Sequence, residues 1–173
     1  INGQDDFDAF LREHADLRHI FYDLMTAQRI SFSNARPEEW AALNPLYDGM
    51  RDFLATHPNK ENVYIITTKK LLFVHLILDA HDVQLIDANI HGTSVNRTKR
   101  HIIQDILQDR GAQAARFYFL DDQVDTLIKV KPTGVQTILA GWGYNDAGQR
   151  ALAAKEDIPV FTLRQFYATF EST

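Results

Sequence analysis

The side chains best suited to chemistry follow one apolar run. In FYFLDDQVDTL, Phe117 to Leu127, an aromatic and aliphatic stretch stops at Asp121 and Asp122, with Asp125 one turn further on. Carboxylates gathered at the end of such a run supply the hard oxygen ligands that Mg²⁺ prefers. Two other apolar runs also end in polar residues: Val63-Tyr64-Ile65-Ile66 gives way to Thr67-Thr68-Lys69, and Val135 to Ala140 gives way to Gly141-Trp142-Gly143-Tyr144-Asn145. A hydroxyl and the amides after it can bind phosphate oxygens, a lysine can neutralise them, and carboxylates can hold a cation. With Lys99, the set has the composition of a phosphoryl-transfer edge. Each residue also has a plainer role. Thr67, Asp121 and Asp122 are good helix N-caps, and carboxylates at a helix start are favoured by the helix dipole. Lys99 at the head of a helix opposes that dipole, although exposed lysines are common.

These residues gain meaning from the elements that must carry them. From Asp6 to about Met25 the apolar positions Phe7, Phe10, Leu11, Leu17, Ile20, Phe21 and Leu24 predict one long amphipathic helix, capped by Asp5 or Asp6. Pro37-Glu38-Glu39 and Asn44-Pro45 each signal the start of a shorter helix, the second ending near His57-Pro58-Asn59. No strand is expected in the first sixty residues. Val63–Thr67 then reads as a central parallel strand, apolar on both faces. Helices are expected over 69–80, 99–110, 123–130, 146–154 and 163–170, and strands over 115–120, 135–140 and 159–162, with a weaker extended stretch over 83–90. Strands alternating with helices predict an α/β domain built on a parallel sheet with helices on both faces. Ligands of such sheets bind beyond the carboxyl ends of the strands, where Thr67, Asp121 and the Gly141-Trp142-Gly143 loop fall.

Composition narrows the class. The chain has 173 residues, 45% of them hydrophobic, enough for one core and an appendage. A net charge of -5 with scattered basic residues argues against nucleic acid as the main partner. No cysteine is present, which excludes disulfides, thiolate nucleophiles and cysteine-based zinc sites and points to the cytoplasm. No window approaches the apolar length of a membrane span. The seven histidines have no ligand spacing, and are expected at the surface or satisfied in the core. Ser31, Ser33 and Ser94 lack the strand-elbow setting of a nucleophile, and Gly141-Trp142-Gly143 is too short for a dinucleotide fingerprint. Oligomeric state leaves no mark.

Taken in order, VYIITTKK, Thr98-Lys99 and FYFLDDQVD resemble the second, third and fourth motifs of the haloacid dehalogenase-like superfamily, in its phosphoglycolate-phosphatase-like branch. ILAGWGY resembles the strand and loop that follow the acidic motif, and LYDGMRDFLATH the segment returning from the cap, so the likeness runs from about Pro45 to Phe166. Receiver domains place similar residues at one sheet edge, but with the acidic pair first and the lysine last; here the order is Thr67, Lys99, Asp121. The resemblance implies a Rossmann-like core over 46–173 and part of a helical cap over 1–45. It gives Thr67, with Thr68, the binding of a phosphoryl group, and Lys99 the stabilisation of its charge. Asp121, with Asp122 or Asp125, would hold Mg²⁺ directly or through water; such motifs leave open which of them is the principal ligand, Asp121 being the first choice. The implied activity is a Mg²⁺-dependent phosphatase acting on a small phosphorylated metabolite through an aspartyl-phosphate.

One departure limits that implication. The superfamily's first motif is a strand ending in Asp-x-Asp, whose first aspartate is the nucleophile and whose second is the acid and base. Asp6-Phe7-Asp8 has these letters but falls inside a helical pattern. The chain opens on Ile1-Asn2-Gly3, and the expectation is that the nucleophile motif lies upstream of it. The alternatives are a non-catalytic binding module or remnant of the same fold, and a receiver-like phosphoacceptor.

Overall fold

A computed structural model describes residues 4–170. The chain forms two units, Ile1–Pro45 and Leu46–Thr173.

The first unit holds α1 (Gln4–Glu13), α2 (Arg18–Ala35) and α3 (Pro37–Ala42). The single helix expected over 6–25 is broken. Its chain turns at residues 14–17, where Leu17 N bonds back three residues to His14 O at 3.0 Å, and α2 then runs ten residues past Met25. His14 and Asp16 are poor helix formers, and the tighter turn is the response. Asp5 and Asp6 therefore lie within the first turn of α1 and not before it, and Asp6-Phe7-Asp8 is helical, not the end of a strand. The signals for α3 hold: Pro37 occupies its first turn with Glu38 and Glu39, and Trp40 is buried.

The second unit begins with α4 (Met50–Thr56) and continues as β1 (Ile65–Thr67), α5 (Leu71–Ala80), β2 (Ile90–Gly92), α6 (Lys99–Arg110), β3 (Tyr118–Asp121), α7 (Val124–Val130), β4 (Gln136–Ala140), α8 (Ala147–Lys155), β5 (Val160–Phe161) and α9 (Leu163–Phe170). Pro45 does not open α4. That helix starts after Gly49, which takes a left-handed φ of 76° beside Tyr167, whose hydroxyl donates to Asp48 O at 2.6 Å. The stretch 83–90 is not a strand. It holds a 3₁₀ turn at Asp87–Asn89, and only Ile90–Gly92 pairs. Buried Asn89 explains this: its Nδ2 donates to the carbonyls of Glu61 and Val63, each at 3.1 Å, and so ties the segment to the approach to β1.

All paired strands are parallel, as the alternation of strands and helices predicts, but they form two sheets and not one. β1 pairs with β2, Ile66 opposite His91, and a second sheet has the order β3-β4-β5. β4 is buried from Thr137 to Ala140, the mark of a strand covered on both faces. The main core joins Phe119, Leu127, Val130, Leu139 and Ile158, and Ile66 of β1 packs against it. A second core joins Leu54, Val74, Leu78, Val83 and Ile90. No helix among the described residues is long and apolar enough to cross a membrane.

Candidate functional site

The carboxyl ends of β1, β3 and β4 carry the polar residues that the sequence singled out. Thr67 ends β1, and its Oγ1 accepts the Lys69 amide at 3.0 Å, closing a turn before α5. Its carbonyl accepts the Thr93 amide at 2.9 Å, which fastens the loop after β2 to the same edge. Thr68 is exposed. This is the local N-terminal turn that a threonine forms readily, and it leaves the following amides at the sheet edge.

Lys99 is the first residue of α6. Thr98 caps that helix, accepting from His101 N at 3.4 Å, while the His101 ring accepts from Thr98 N at 3.3 Å. This reciprocal cap fixes where α6 begins and therefore where Lys99 emerges. Its Nζ reaches Asp121 Oδ2 at 2.5 Å, with the ammonium 6.0 Å from the Phe119 ring centre. The two side chains are 19% and 6% exposed, so water screens the pair little. Lys99 is thus held on the unfavourable side of the α6 dipole by a buried carboxylate.

Asp121 ends β3 and accepts the Gln123 amide with its other oxygen, Oδ1, at 3.0 Å. Asp122 takes a different partner: its Oδ2 accepts the Tyr144 amide at 2.9 Å. Gln123 Nε2 donates back to Tyr144 O at 2.6 Å, so the loop after β4 is laced to the acidic loop after β3. Gly143 lets the two loops meet, since a Cβ there would lie 2.3 Å from Asp122 Cβ. Asp125 is exposed in the first turn of α7.

Of the candidates, the fold joins Lys99 to Asp121. Among the described residues no hydrogen bond or ion pair links Thr67 or Thr68 to Lys99 or to the three aspartates. Nor does any group of three or more His, Asp or Glu side chains form a metal-binding cluster among them. Asp121 and Asp122 keep the oxygen chemistry that Mg²⁺ accepts, and Mg²⁺ can be bound through one or two carboxylates with the remaining positions filled by water and substrate oxygens. When bound, such an ion would neutralise phosphate charge.

Two contributors escape a reading by residue type. Gly143 is spacing, not chemistry, and only its contact with Asp122 reveals it. Tyr64 and His91 stack at 6.2 Å between ring centres, and Tyr64 Oη and His91 Nε2 are buried without a hydrogen-bond partner. His91 is thus half-buried with its Nε2 unsatisfied, which differs from the expectation for the histidines. Burial holds its pKa below the usual value, Arg97 lowers it further, and Asp105 acts in the opposite direction. An unfolded histidine takes its proton at about pH 6.5, whereas folded His91 resists it. Its stabilising contribution is present above that pH and is lost as pH falls through the lowered folded value. Unfolding followed in urea between neutral pH and mildly acidic pH should therefore show a steeper loss of stability for the native chain than for His91→Asn; parallel curves would show that His91 does not titrate with folding.

No family model, curated protein or solved structure matches the chain.

Proposed function

We propose that the second unit is a haloacid dehalogenase-like core and that its sheet edge serves Mg²⁺-dependent hydrolysis of a small phosphorylated metabolite. The observation that carries this reading is the Lys99–Asp121 pair at 2.5 Å, in which a half-buried ammonium meets a buried carboxylate between the head of α6 and the carboxyl end of β3. It places a cation and a carboxylate in contact where parallel α/β sheets bind ligands, after a strand that ends in Thr67. In this reading Thr67 and the amides after it hold the phosphoryl oxygens, and Lys99 neutralises charge on the transferring group. Asp121 and Asp122 would hold Mg²⁺. The aspartate that attacks phosphorus has no counterpart on any strand among the described residues: β3 alone ends in aspartate, and it is the acidic motif.

A second reading has its own support. Asp121 is already engaged by Lys99 and the Gln123 amide, and Asp122 by the Tyr144 amide. That favours a non-catalytic module in which the acids brace loops.

One pair of measurements separates the readings. The 173-residue chain is incubated with para-nitrophenyl phosphate and Mg²⁺, and its carboxyl carbon resonances are followed by NMR during a Mg²⁺ titration. The proposal expects saturable shifts at Asp121 and Asp122 and no phosphate release. Release that persists through purification would overturn the assignment of roles, and flat titrations at both aspartates would favour the non-catalytic module.

A further inference from the structure

A cleft of about 500 Å³ lies along α4, lined by Asp52, Phe53, Thr56 and His57 from that segment and by Tyr167 of α9. Local sequence builds its walls. Phe53 and His57 are four residues apart and so share one face of the helix, with ring centres 5.1 Å apart and planes inclined at 66°. Pro58 stops the helix directly after His57. The Tyr167 ring lies 6.0 Å from that of Phe53, inclined at 49°. Gly49 makes room for it, since a Cβ there would stand 3.1 Å from Tyr167 Oη. Buried Phe166 packs edge-on against Phe53 at 4.8 Å and holds it in place.

The polar groups of the cleft select the sign of its ligand. The hydroxyl of Thr56 donates to Asp52 O at 2.7 Å and that of Tyr167 to Asp48 O at 2.6 Å, so neither proton is left for an anion. His57 Nδ1 accepts the Asn59 amide at 3.2 Å, as an unprotonated nitrogen does, and the ring therefore adds no positive charge in this state. Arg51, next to Asp52 in sequence, is held elsewhere: its Nε donates to His81 O at 2.9 Å and its Nη2 meets Asp82 at 3.4 Å. Asp52 is the one acid on the walls, and its carboxylate has no ion-pair or hydrogen-bond partner among the described residues. The α4 dipole accounts for an acid in the first turn, but not for three rings beside it.

We propose that this cleft binds a small free molecule bearing a quaternary ammonium group. The negative faces of the rings and an unpaired carboxylate both attract such a cation, and its methyl groups pack against the rings. Rings inclined to one another suit a rounded cation better than a guanidinium, which stacks flat. A metal ion fits poorly, because the walls offer a single carboxylate where a hard cation takes several oxygen ligands. The volume is in the range of small-molecule sites. None of these residues belongs to the proposed phosphoryl-transfer edge, and binding here needs neither Mg²⁺ nor hydrolysis, so either reading can fail without the other.

The test titrates the full chain at neutral pH with choline and with neohexyl alcohol, its uncharged isostere in which carbon replaces the nitrogen. The ring-proton resonances of Phe53 and Tyr167 should shift and saturate with a Kd of about 1 mM for choline, and neohexyl alcohol should bind about tenfold more weakly. Asp52→Asn should weaken choline about fivefold, the effect of one exposed charge at contact distance. Its urea midpoint should stay at the native value, since that carboxylate braces nothing. Equal affinity for the two probes would overturn the proposal, as would undiminished choline binding by Asp52→Asn or no ring shift up to about 20 mM choline. Phosphatidylcholine vesicles should leave the chain in solution; recruitment that free choline reverses would assign the cleft to a membrane surface and overturn the free ligand.

Discussion

Lys99→Met is expected to destabilise the chain by about 3–5 kcal/mol, the usual cost of stripping one partner from a buried ion pair. The Lys99 and Asp121 side chains are 19% and 6% exposed. Without Lys99, the Asp121 carboxylate keeps the Gln123 amide but loses the opposite charge it pairs with among the described residues, and it sits too deep for water to replace the ammonium. Asp121→Asn should cost less, because the longer lysine can swing its ammonium outward when its partner is gone. The double variant should regain much of the loss, since neither charge is then buried alone. Urea unfolding of the four proteins at neutral pH gives the coupling directly. A Lys99→Met loss below about 1 kcal/mol would place the pair with solvent-exposed salt bridges. It would also remove the observation on which the proposed phosphoryl-transfer edge rests.

What the sequence discloses divides along physical lines. Tyr118–Asp121 and Gln136–Ala140 were legible because a short, largely apolar run bounded by polar residues marks a mostly buried strand, and α6 was legible because its threonine cap and Gly111 at its end agree. The same local signals cannot reveal which strand lies beside which. The apolar run at 63–67 has the texture of a central strand, but in the fold β1 has one neighbour, so a single sheet was expected where two exist. Asn89 acts on carbonyls 26 and 28 residues away, and that long reach turned an apparent strand into a 3₁₀ turn and a short pairing. The break between α1 and α2 was hidden because the apolar spacing continues across it.

The candidate site shows the same division. Residue type and position at strand ends were enough to select Thr67, Lys99 and Asp121. Their mutual relations were not readable, because Lys99 meets Asp121 across 22 residues and Thr67 meets neither through a hydrogen bond. Asp121 and Asp122 look equivalent as letters. Alternation along β3 separates them: one turns to α6 and the other to the loop after β4. The unpartnered atoms of Tyr64 and His91 were not readable, because an unpartnered buried atom is a property of the packed structure and leaves no mark in composition.

Gly143→Ala should act on Asp122 and leave Asp121 in place. A Cβ at Gly143 would stand 2.3 Å from Asp122 Cβ and 3.1 Å from both Asp122 Cγ and Oδ2. Real Cβ atoms do not approach so closely, and Asp122 Cβ is fixed to its own backbone, so a side-chain rotation does not relieve the clash. Gly143 is not among the glycines with positive φ; the penalty is therefore steric and not conformational. The loop after β4 must withdraw, breaking the Tyr144 amide bond to Asp122 and the Gln123 bond to Tyr144 O. The expected loss is about 1–3 kcal/mol, the range for overpacking a tight contact. In the Mg²⁺ titration the Asp122 resonance should change its response, while Asp121, held from the other side by Lys99, keeps the native one. A stability change within about 0.5 kcal/mol, as for an ordinary surface substitution, would mean that the two loops separate freely. Asp122 would then owe nothing of its position to the glycine beneath it.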